Sequence, residues 1–381
     1  MSQPHTITAG NRVVVAMSGG VDSSVAAALL KRQGYDVVGV FLRLGSPKDV
    51  GQSEEACSID DNKKSHKQGC CSVLDAGDAR RVATLLDVPF YVLNFQEDFG
   101  KIIDYFVGEY NNGRTPNPCV RCNDWLKFGK LVQYANGIGA RYSASGHYAR
   151  VGIDPVSGEK ALMRGLDHKK DQSYVLFGMS RETLEHTLLP IGEFDKPTVR
   201  ALAEELKLPT FNKPDSQEIC FVPDQDYAGL VKRRAPESVR EGAMVDSTGN
   251  IVARHQGHQH FTIGQRKGVR VALGHRVYVT DIDPRLNKVT LGPREQLFRK
   301  TLTANQLNLL QQRAIDATDG IRCQAKIRYN SDPEPAVLTR TGIDSIRLEF
   351  DEPQVAITPG QAVVCYDGDV VLGGGWIDNV E

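Results

Sequence analysis

The chain has 381 residues, of which 40% are hydrophobic and 24% are charged, and its formal net charge is −1. This composition is typical of a globular protein with a substantial core, and the length predicts two or three domains of roughly 150 residues each. A membrane-spanning protein is excluded, because no segment approaches the ~18 consecutive apolar residues of a transmembrane helix. The near-zero charge gives no global sign of a nucleic-acid partner but leaves room for a local basic patch.

The chain has eight cysteines, and the role expected of them depends on the compartment in which the protein works. Residues 1–12 are too few and too polar for a signal peptide, so we expect a cytoplasmic location. Without a secretion signal, cysteines in a chain of this length favour thiol chemistry or metal binding over a disulfide framework.

The first half of the chain alternates between predicted strands and helices. Strands are predicted at 13–15, 35–42, 89–94 and 141–148, and helices at 24–31, 75–86, 96–110 and 124–136. This alternation predicts a doubly wound parallel sheet covered on both faces. Residues 43–72 interrupt it with a long polar insertion that carries Cys57, Cys70 and Cys71. We assign these cysteines no role; the alternatives are an exposed loop and a metal site.

The second half changes character twice. Residues 169–206 are predicted to be mainly helical, 225–292 to form short strands with Gly-rich turns, and 295–381 to form antiparallel strands of a small β-barrel. We therefore expect domains at 1–224, 225–292 and 293–381. Within the central one, residues 254–276 contain five Arg and Lys side chains and four histidines but no acidic residue.

The turn Ala16-Met-Ser-Gly-Gly-Val-Asp-Ser23, between the first strand and helix, has the composition of an anion-binding loop. Its glycines allow backbone N–H groups to approach an anion, and the helix N-terminus adds a positive dipole end. Asp22 could orient a magnesium ion or a water molecule. The turn is neither a Walker A motif nor a dinucleotide fingerprint. It resembles the pyrophosphate loop of enzymes that adenylate a carbonyl and release pyrophosphate.

Two separated segments carry further cysteines: Arg114-Thr-Pro-Asn-Pro-Cys-Val-Arg-Cys-Asn123 and Asp215-Ser-Gln-Glu-Ile-Cys-Phe221. Alone, the Cys-x-x-Cys pair of the first fits half a zinc site, a redox pair or two iron–sulfur ligands. A pyrophosphate loop combined with two cysteine segments indicates one chemistry. ATP activates an oxygen by adenylation, and sulfur carried on a thiol then displaces AMP.

Together these motifs resemble the tRNA-specific 2-thiouridylase family, whose members replace the 2-oxygen of the wobble uridine with sulfur in tRNAs for Lys, Glu and Gln. The resemblance runs from about residue 12 to the C-terminus. It also includes Ser145-Gly-His-Tyr-Ala-Arg150, Lys170-Asp-Gln-Ser-Tyr174, Phe261-Thr-Ile-Gly-Gln-Arg-Lys-Gly268, Ala325-Lys-Ile-Arg-Tyr329 and Pro359-Gly-Gln361. It implies an N-terminal sheet of the adenine-nucleotide hydrolase-like type, a small central β-rich domain that binds tRNA, and a C-terminal β-barrel.

The resemblance also implies roles for individual positions. ATP, with Mg²⁺, would be bound by Ala16, Met17, Ser18, Gly19, Gly20, Val21, Asp22, Ser23, Leu42 and Gly146. The catalytic residues would be Asp22, the nucleophile Cys122, the persulfide-receiving Cys220, and Cys119. The target base would meet Asn117, Pro118 and Cys119, and other tRNA contacts would come from His147, Lys170, Asp171, Gln172, Arg328, Tyr329 and Gln361. The implied partners are tRNA and a sulfur donor, either a persulfide-carrying protein or inorganic sulfide.

One position departs from the common family pattern, because many members have Asp where this chain has Cys119. The Cys version is associated with a 4Fe–4S cluster held by the positions of Cys119, Cys122 and Cys220. The sequence therefore leaves two sulfur routes open, a cysteine persulfide and an iron–sulfur cluster, and the substitution tilts the expectation toward the cluster.

Two other functions compete with thiolation. The first is a different pyrophosphate-loop ligase, such as an argininosuccinate-, GMP- or lysidine-forming synthetase, whose nitrogen nucleophile needs no cysteine pair. The second is a non-catalytic tRNA-binding or redox-sensing module that retains a nucleotide loop. Substituting Cys122 and Cys220 discriminates the first, and the absence of tRNA-dependent pyrophosphate release would favour the second.

Overall fold

The computed structural model describes residues 11–45, 73–215, 219–222 and 225–381. The three cysteines of the polar insertion, Cys57, Cys70 and Cys71, lie outside the described residues. The described strands are β1 (Arg12–Ala16), β2 (Asp36–Arg43), β3 (Phe90–Asn94), β4 (Tyr142–Ser145), β5 (Ala149–Ile153), β6 (Lys160–Arg164), β7 (Thr187–Leu188), β8 (Gly242–Val245), β9 (Ile251–His255), β10 (Tyr278–Asp283), β11 (Lys288–Gly292), β12 (Phe298–Leu309), β13 (Ile321–Lys326), β14 (Glu334–Gly342), β15 (Ser345–Val355), β16 (Ala362–Asp367) and β17 (Val370–Val380).

The described helices are α1 (Val21–Arg32), α2 (Val73–Leu85), α3 (Gln96–Asn111), α4 (Pro118–Arg121), α5 (Leu131–Gly137), α6 (Arg181–Glu185), α7 (Lys196–Glu205), α8 (Tyr227–Arg234) and α9 (Gln312–Ile315). A π-helical segment, Cys122–Lys130, joins α4 to α5. None of the helices in the described ranges is long and apolar enough to cross a membrane.

The N-terminal unit is a five-stranded parallel sheet in the order β3-β2-β1-β4-β7. Side chains alternate along β1: Val13 and Val15 pack with α1, α2 and α7 on one face, and Val14 packs with α5 on the other. All three valines are fully buried, and burial of each contributes roughly 1.5–3 kcal/mol. The predicted doubly wound sheet, covered on both faces, is confirmed.

Two further sheets follow. The central one has four strands in the order β10-β11-β8-β9. The C-terminal sheet runs β12-β15-β14-β13-β16-β17, and pairing between β12 and β17 closes these six strands into a barrel. Leu338, Ile346 and Leu348 are among the fully buried side chains inside it. The predicted β-rich central part and C-terminal barrel are therefore confirmed.

The β5–β6 hairpin was not predicted, and it belongs to the barrel sheet although it follows β4 in the chain. It joins β17 through the pair Val370↔Met163. Arg150 on the hairpin contacts Asp369 at 2.6 Å, and Arg164 N–H donates to the Asp369 carbonyl at 2.9 Å. The hairpin thus ties the nucleotide-type sheet to the barrel.

The cysteine motif lies between the helices predicted at 96–110 and 124–136 and was therefore expected to form a loop, but part of it is helical. Its helix begins at Pro118 and not near residue 124, so both Cys119 and Cys122 are helical. The Asn117 carboxamide caps the helix by accepting from Val120 N–H at 3.3 Å, and Pro118 takes the first helical position, which needs no donor. The prediction that residues 169–206 are mainly helical overstated their helix content, because this region contains α6, α7, a single 3₁₀ turn and β7.

Candidate active site

A cavity of about 540 Å³ opens where β1, β2 and β4 end. This is the edge at which the strand order reverses, between β1 and β4, and such switch points form ligand crevices in open α/β sheets. The lining includes most of the predicted nucleotide residues: Ala16, Met17, Ser18, Gly20, Val21, Asp22, Ser23, Leu42 and Gly146.

The pyrophosphate loop, residues 16–23, is held open toward this cavity. Gly19 has φ +77°, and a Cβ there would lie 2.2 Å from the Asp75 carbonyl oxygen, so only glycine fits. Ser18 N–H donates to Ser23 Oγ at 3.1 Å, and Ser24 Oγ donates to the Gly20 carbonyl at 2.7 Å. Gly20 gives α1 no side-chain cap, so the helix N-terminus offers its N–H groups to an anion. Gly19 itself supports the loop and does not line the cavity.

Gly146 brings the end of β4 against the first turn of α1. A Cβ at this position would lie 2.5 Å from Ser23 N and 2.6 Å from Asp22 C. Gly146, a predicted nucleotide-binding position, is thus also the point where the backbone after β4 packs closely against the backbone of α1. Leu42 lies opposite, on an apolar wall formed with Phe41 and Leu44.

Charged side chains that the sequence reasoning missed surround Asp22. Lys196 Nζ lies 2.8 Å from Asp22 Oδ1 and 2.8 Å from Asp215 Oδ1, and the Tyr148 hydroxyl donates to Asp22 Oδ1 at 2.8 Å. Burial and the nearby Asp22 carboxylate raise the pKa of Tyr148. Lys213 donates to the Gly19 carbonyl at 3.0 Å and to Asp75 at 2.6 Å. No local motif marks either lysine, because the partners are 174 and 194 residues away in the chain.

The predicted tRNA residues near β4 fall into two groups. Lys170 lines the cavity and donates to Asp215 at 3.0 Å. His147 also lines it, but burial and Lys127 lower its pKa well below the ordinary value, so it is neutral at pH 7. His147 Nδ1 lies 2.7 Å from Ser145 Oγ.

The other two predicted residues serve the protein's own backbone. Gln172 lines the cavity, but its side-chain oxygen accepts from Tyr148 N–H at 2.9 Å. Asp171 is buried; it accepts from Gly165 N–H at 3.1 Å and Ser173 N–H at 3.0 Å. These donors enclose the carboxylate of Asp171, and its contact with tRNA stays a prediction.

Cys122 and Cys220 meet at one apolar cluster, although they lie on separate segments. Both pack against a core formed by α3 and α8 with Leu126 and Phe221. Cys119 is exposed at the start of α4, and its charge raises the pKa of Tyr329, after the larger contributions of burial and Asp171. Tyr329 lines the cavity, whereas Cys119 is not part of the lining.

The expected 4Fe–4S ligand set is not formed. Among the described residues, which include all three cysteines, no group of three or more His, Cys, Asp or Glu side chains could hold a metal ion. Cys119, Cys122 and Cys220 therefore do not fit a three-thiolate cluster site in this conformation. Cys119 is exposed, whereas Cys122 and Cys220 are half-buried against the apolar cluster.

Arg121, between the two cysteines of the motif, anchors their helix to the barrel. Its guanidinium lies 4.0 Å from the Trp376 ring centroid and is flanked by Tyr105 and Trp125 at 5.2 and 5.3 Å. It also donates to Gln306 at 2.5 Å. Arg114 likewise contacts Glu109 and Asp378. The contacts of both arginines thus hold the motif on the barrel.

Comparison with known proteins agrees with this architecture. The tRNA methyl transferase HUP domain profile matches residues 11–224, the tRNA methyl transferase PRC-barrel domain 229–293, and the aminomethyltransferase beta-barrel domain 299–377. The tRNA-specific 2-thiouridylase MnmA of Clostridioides difficile is 48% identical over 96% of this chain and 98% of its own. That of Carboxydothermus hydrogenoformans is 50% identical over 96% and 97%.

The chain belongs to the tRNA-specific 2-thiouridylase family. A more distant likeness is to the solved NMN synthetase from Francisella tularensis, which is 18% identical and covers 58% of this chain and 75% of its own, with a TM-score of 0.33. That score is too low to add weight to the assignment.

The remaining predicted tRNA positions of this 2-thiouridylase lie between strands of the barrel, Arg328 and Tyr329 after β13 and Gln361 before β16, and Tyr329 lines the cavity. Tyr329 is 37% exposed, and Arg328 is exposed and donates to the Val355 carbonyl. Gln361 instead donates to the Thr115 and Pro116 carbonyls at 3.0 Å each. It holds the segment that leads to the cysteine helix, together with Asn117 and the buried Pro118.

The basic stretch of the central sheet divides into an exposed and a buried part. Arg254, Arg266, Lys267, Arg270 and Arg276 are exposed, as a nucleic-acid contact surface requires. His258 is buried and contacts the Asn111 carbonyl at 3.2 Å, so it joins the central sheet to α3. His255 is also buried, which removes two of the four histidines from the exposed surface.

Proposed function

We propose that this 2-thiouridylase catalyses ATP-dependent replacement of the 2-oxygen of the wobble uridine by sulfur, in tRNAs for Lys, Glu and Gln. The uridine oxygen attacks the α-phosphorus of ATP, and pyrophosphate leaves. Sulfur then attacks the adenylated carbon, and AMP leaves with the former 2-oxygen. The observation that carries this proposal is that one cavity is lined by both the pyrophosphate loop and Tyr329 of the barrel, in a chain about half identical to curated 2-thiouridylases over nearly its whole length.

The cavity fits ATP in charge and shape. The first turn of α1 offers N–H groups to phosphate oxygens, and Lys170, Lys196 and Lys213 line the same space. Leu42, Phe41 and Leu44 offer an apolar wall to the adenine. Asp22, whose side chain is 30% exposed, is the loop carboxylate that would hold a Mg²⁺ ion brought in with ATP. Mg²⁺ would neutralise part of the negative charge of the phosphates.

The packing of Cys122 and Cys220 on one apolar cluster supports the persulfide route. In this route the terminal sulfur of a Cys220 persulfide bonds to the activated carbon as AMP leaves. The Cys122 thiolate then attacks the Cys220 sulfur and breaks the sulfur–sulfur bond, which frees thiolated tRNA. The two cysteines are left oxidised, and an external two-electron thiol reductant must return them to thiols. The sulfur comes from a persulfide-carrying protein or from sulfide with an oxidant.

The exposed basic residues of the central sheet and Arg328 and Tyr329 on the barrel would hold the tRNA. Because Tyr329 lines the cavity, the anticodon base would enter past this side chain. Since tRNA is the substrate, we place the enzyme in the cytoplasm.

Nucleoside analysis of tRNA tests this function. The purified full-length chain, incubated with unmodified tRNA, ATP, Mg²⁺ and a persulfide donor, should produce 2-thiouridine at the wobble position and release pyrophosphate. Cys122→Ser and Cys220→Ser should stop thiolation but still release pyrophosphate, because adenylation precedes sulfur transfer. Pyrophosphate release without any requirement for tRNA, or thiolation by both variants, would refute the proposal.

A further inference from the structure

Lys196 occupies a position that the pyrophosphate loop itself cannot fill. It is the first residue of α7, its side chain is only 10% exposed, and it lines the cavity. Its ammonium lies between two carboxylates, 2.8 Å from Asp22 Oδ1 and 2.8 Å from Asp215 Oδ1. It also donates to Asp22 Oδ2 at 3.0 Å, so its three N–H donors all meet carboxylate oxygens, and a phosphate oxygen would replace this longest contact.

The loop needs a cation from elsewhere in the chain. Residues 16–23 contain no Lys or Arg, and the lysine of a Walker A loop is missing. Backbone N–H groups and a helix dipole offer only partial charges, whereas pyrophosphate leaves with several negative charges. A lysine in a partly desolvated cavity interacts with such charges more strongly than one in water.

Five lysines of the described ranges line the cavity: Lys127, Lys169, Lys170, Lys196 and Lys213. Lys213 contacts Asp75 and Asp78 of α2 and the Gly19 carbonyl, at 2.6, 2.7 and 3.0 Å, so its carboxylate partners belong to α2 and not to the loop. Lys170 is 43% exposed, and its ammonium contacts Asp215. Lys196 is the lysine whose ammonium contacts the carboxylate of Asp22, the charged side chain of the loop, and it is therefore the best placed for this task.

We propose that Lys196 is the pyrophosphate-binding cation of this active site, an inference that rests on the proposed function and names a further residue for the same reaction. Its ammonium donates to oxygens of the β- and γ-phosphates. As the uridine oxygen bonds to the α-phosphorus, the bond from phosphorus to the bridging oxygen breaks and its electron pair stays with pyrophosphate. Lys196 stabilises that developing charge, and Asp22 and Asp215 hold the lysine in place.

Arg200 provides a matched control, because it lies one turn further along α7 and donates to the same Asp215 Oδ1 at 2.9 Å without lining the cavity. In titration calorimetry, Lys196→Gln should weaken inorganic pyrophosphate and ATP by at least about tenfold, the effect of one charge-assisted hydrogen bond, and leave AMP nearly unchanged. Arg200→Gln should leave all three affinities near those of the unaltered chain. Equal losses for AMP and pyrophosphate, or equal effects of the two variants, would show that Lys196 only supports α7.

A footprint on the unaltered protein gives the same test if Lys196→Gln does not fold. Inorganic pyrophosphate should slow acetylation of Lys196, measured by mass spectrometry, whereas AMP should not. No protection by pyrophosphate would overturn the inference. A protein that binds ATP through Lys196 but never thiolates tRNA would refute the proposed function and leave this inference intact.

Discussion

Replacing Gly146 with alanine should separate the pyrophosphate loop from the strand that supports it. The new Cβ would lie 2.5 Å from Ser23 N, 2.6 Å from Asp22 C and 2.8 Å from Asp22 O, all backbone atoms that cannot rotate away. Overpacking of this kind costs about 1–3 kcal/mol in the free energy of unfolding. Relief of the clash would shift the first turn of α1, and a displacement of about 1 Å at a reacting group lowers the rate by about 100-fold.

The assay is tRNA-dependent pyrophosphate release, with thermal unfolding measured in parallel. Gly100→Ala is the matched control, because a Cβ at Gly100 meets nothing within 4 Å and the residue lies inside α3. This control should keep full activity and gain up to about 1 kcal/mol of stability, since alanine favours a helix over glycine.

Full activity of Gly146→Ala would mean that the contact between the end of β4 and α1 does not set the loop's geometry. A loss of stability with unchanged turnover would have the same meaning for catalysis. The reasoning requires that the variant loses activity even at temperatures where it remains folded.

Three other changes test separate parts of the account. Replacing both Arg266 and Lys267 with alanine should reduce the slope of log affinity for tRNA against log salt by up to about two units, as measured by filter binding; an unchanged slope removes these residues from the contact surface. Cys119→Asp should thiolate tRNA without bound iron when a persulfide donor is supplied, and complete inactivity under those conditions would favour the cluster route. Burial alone would raise the pKa of Asp215, but hydrogen bonds from Lys196 and Lys170 lower it overall. Its stabilising effect is therefore present above the unfolded pKa of about 4 and lost as pH falls through the folded pKa, so the stability difference between the unaltered chain and Asp215→Asn should shrink in acid and not in base.

The features predicted well from the sequence were those encoded locally. The strand Arg12–Ala16, the glycine-rich turn and α1 are adjacent in the chain, so apolar periodicity and glycine spacing suffice to place them. The start of α4 was missed although its signal was present, because Asn117 followed by Pro118 reads as a helix cap and first turn.

The features that were missed depend on contacts between distant segments. Lys196 reaches Asp22 across 174 residues, and no spacing rule links them. The short β5–β6 hairpin becomes part of the barrel sheet through the pairing of β6 with β17, at the far end of the chain. The burial of individual side chains could not be predicted either. Asp171 belongs to a motif of charged and polar residues, yet its carboxylate is enclosed by backbone donors.

The central claim is that the uridine oxygen is activated on ATP before sulfur replaces it. Transfer of an isotopic label tests it most directly. With tRNA carrying ¹⁸O at the 2-position of the wobble uridine, a persulfide donor and ATP, the account predicts that the ¹⁸O appears in AMP, in amounts equal to the 2-thiouridine formed. Recovery of the label in water or in pyrophosphate, with 2-thiouridine still produced, would contradict it.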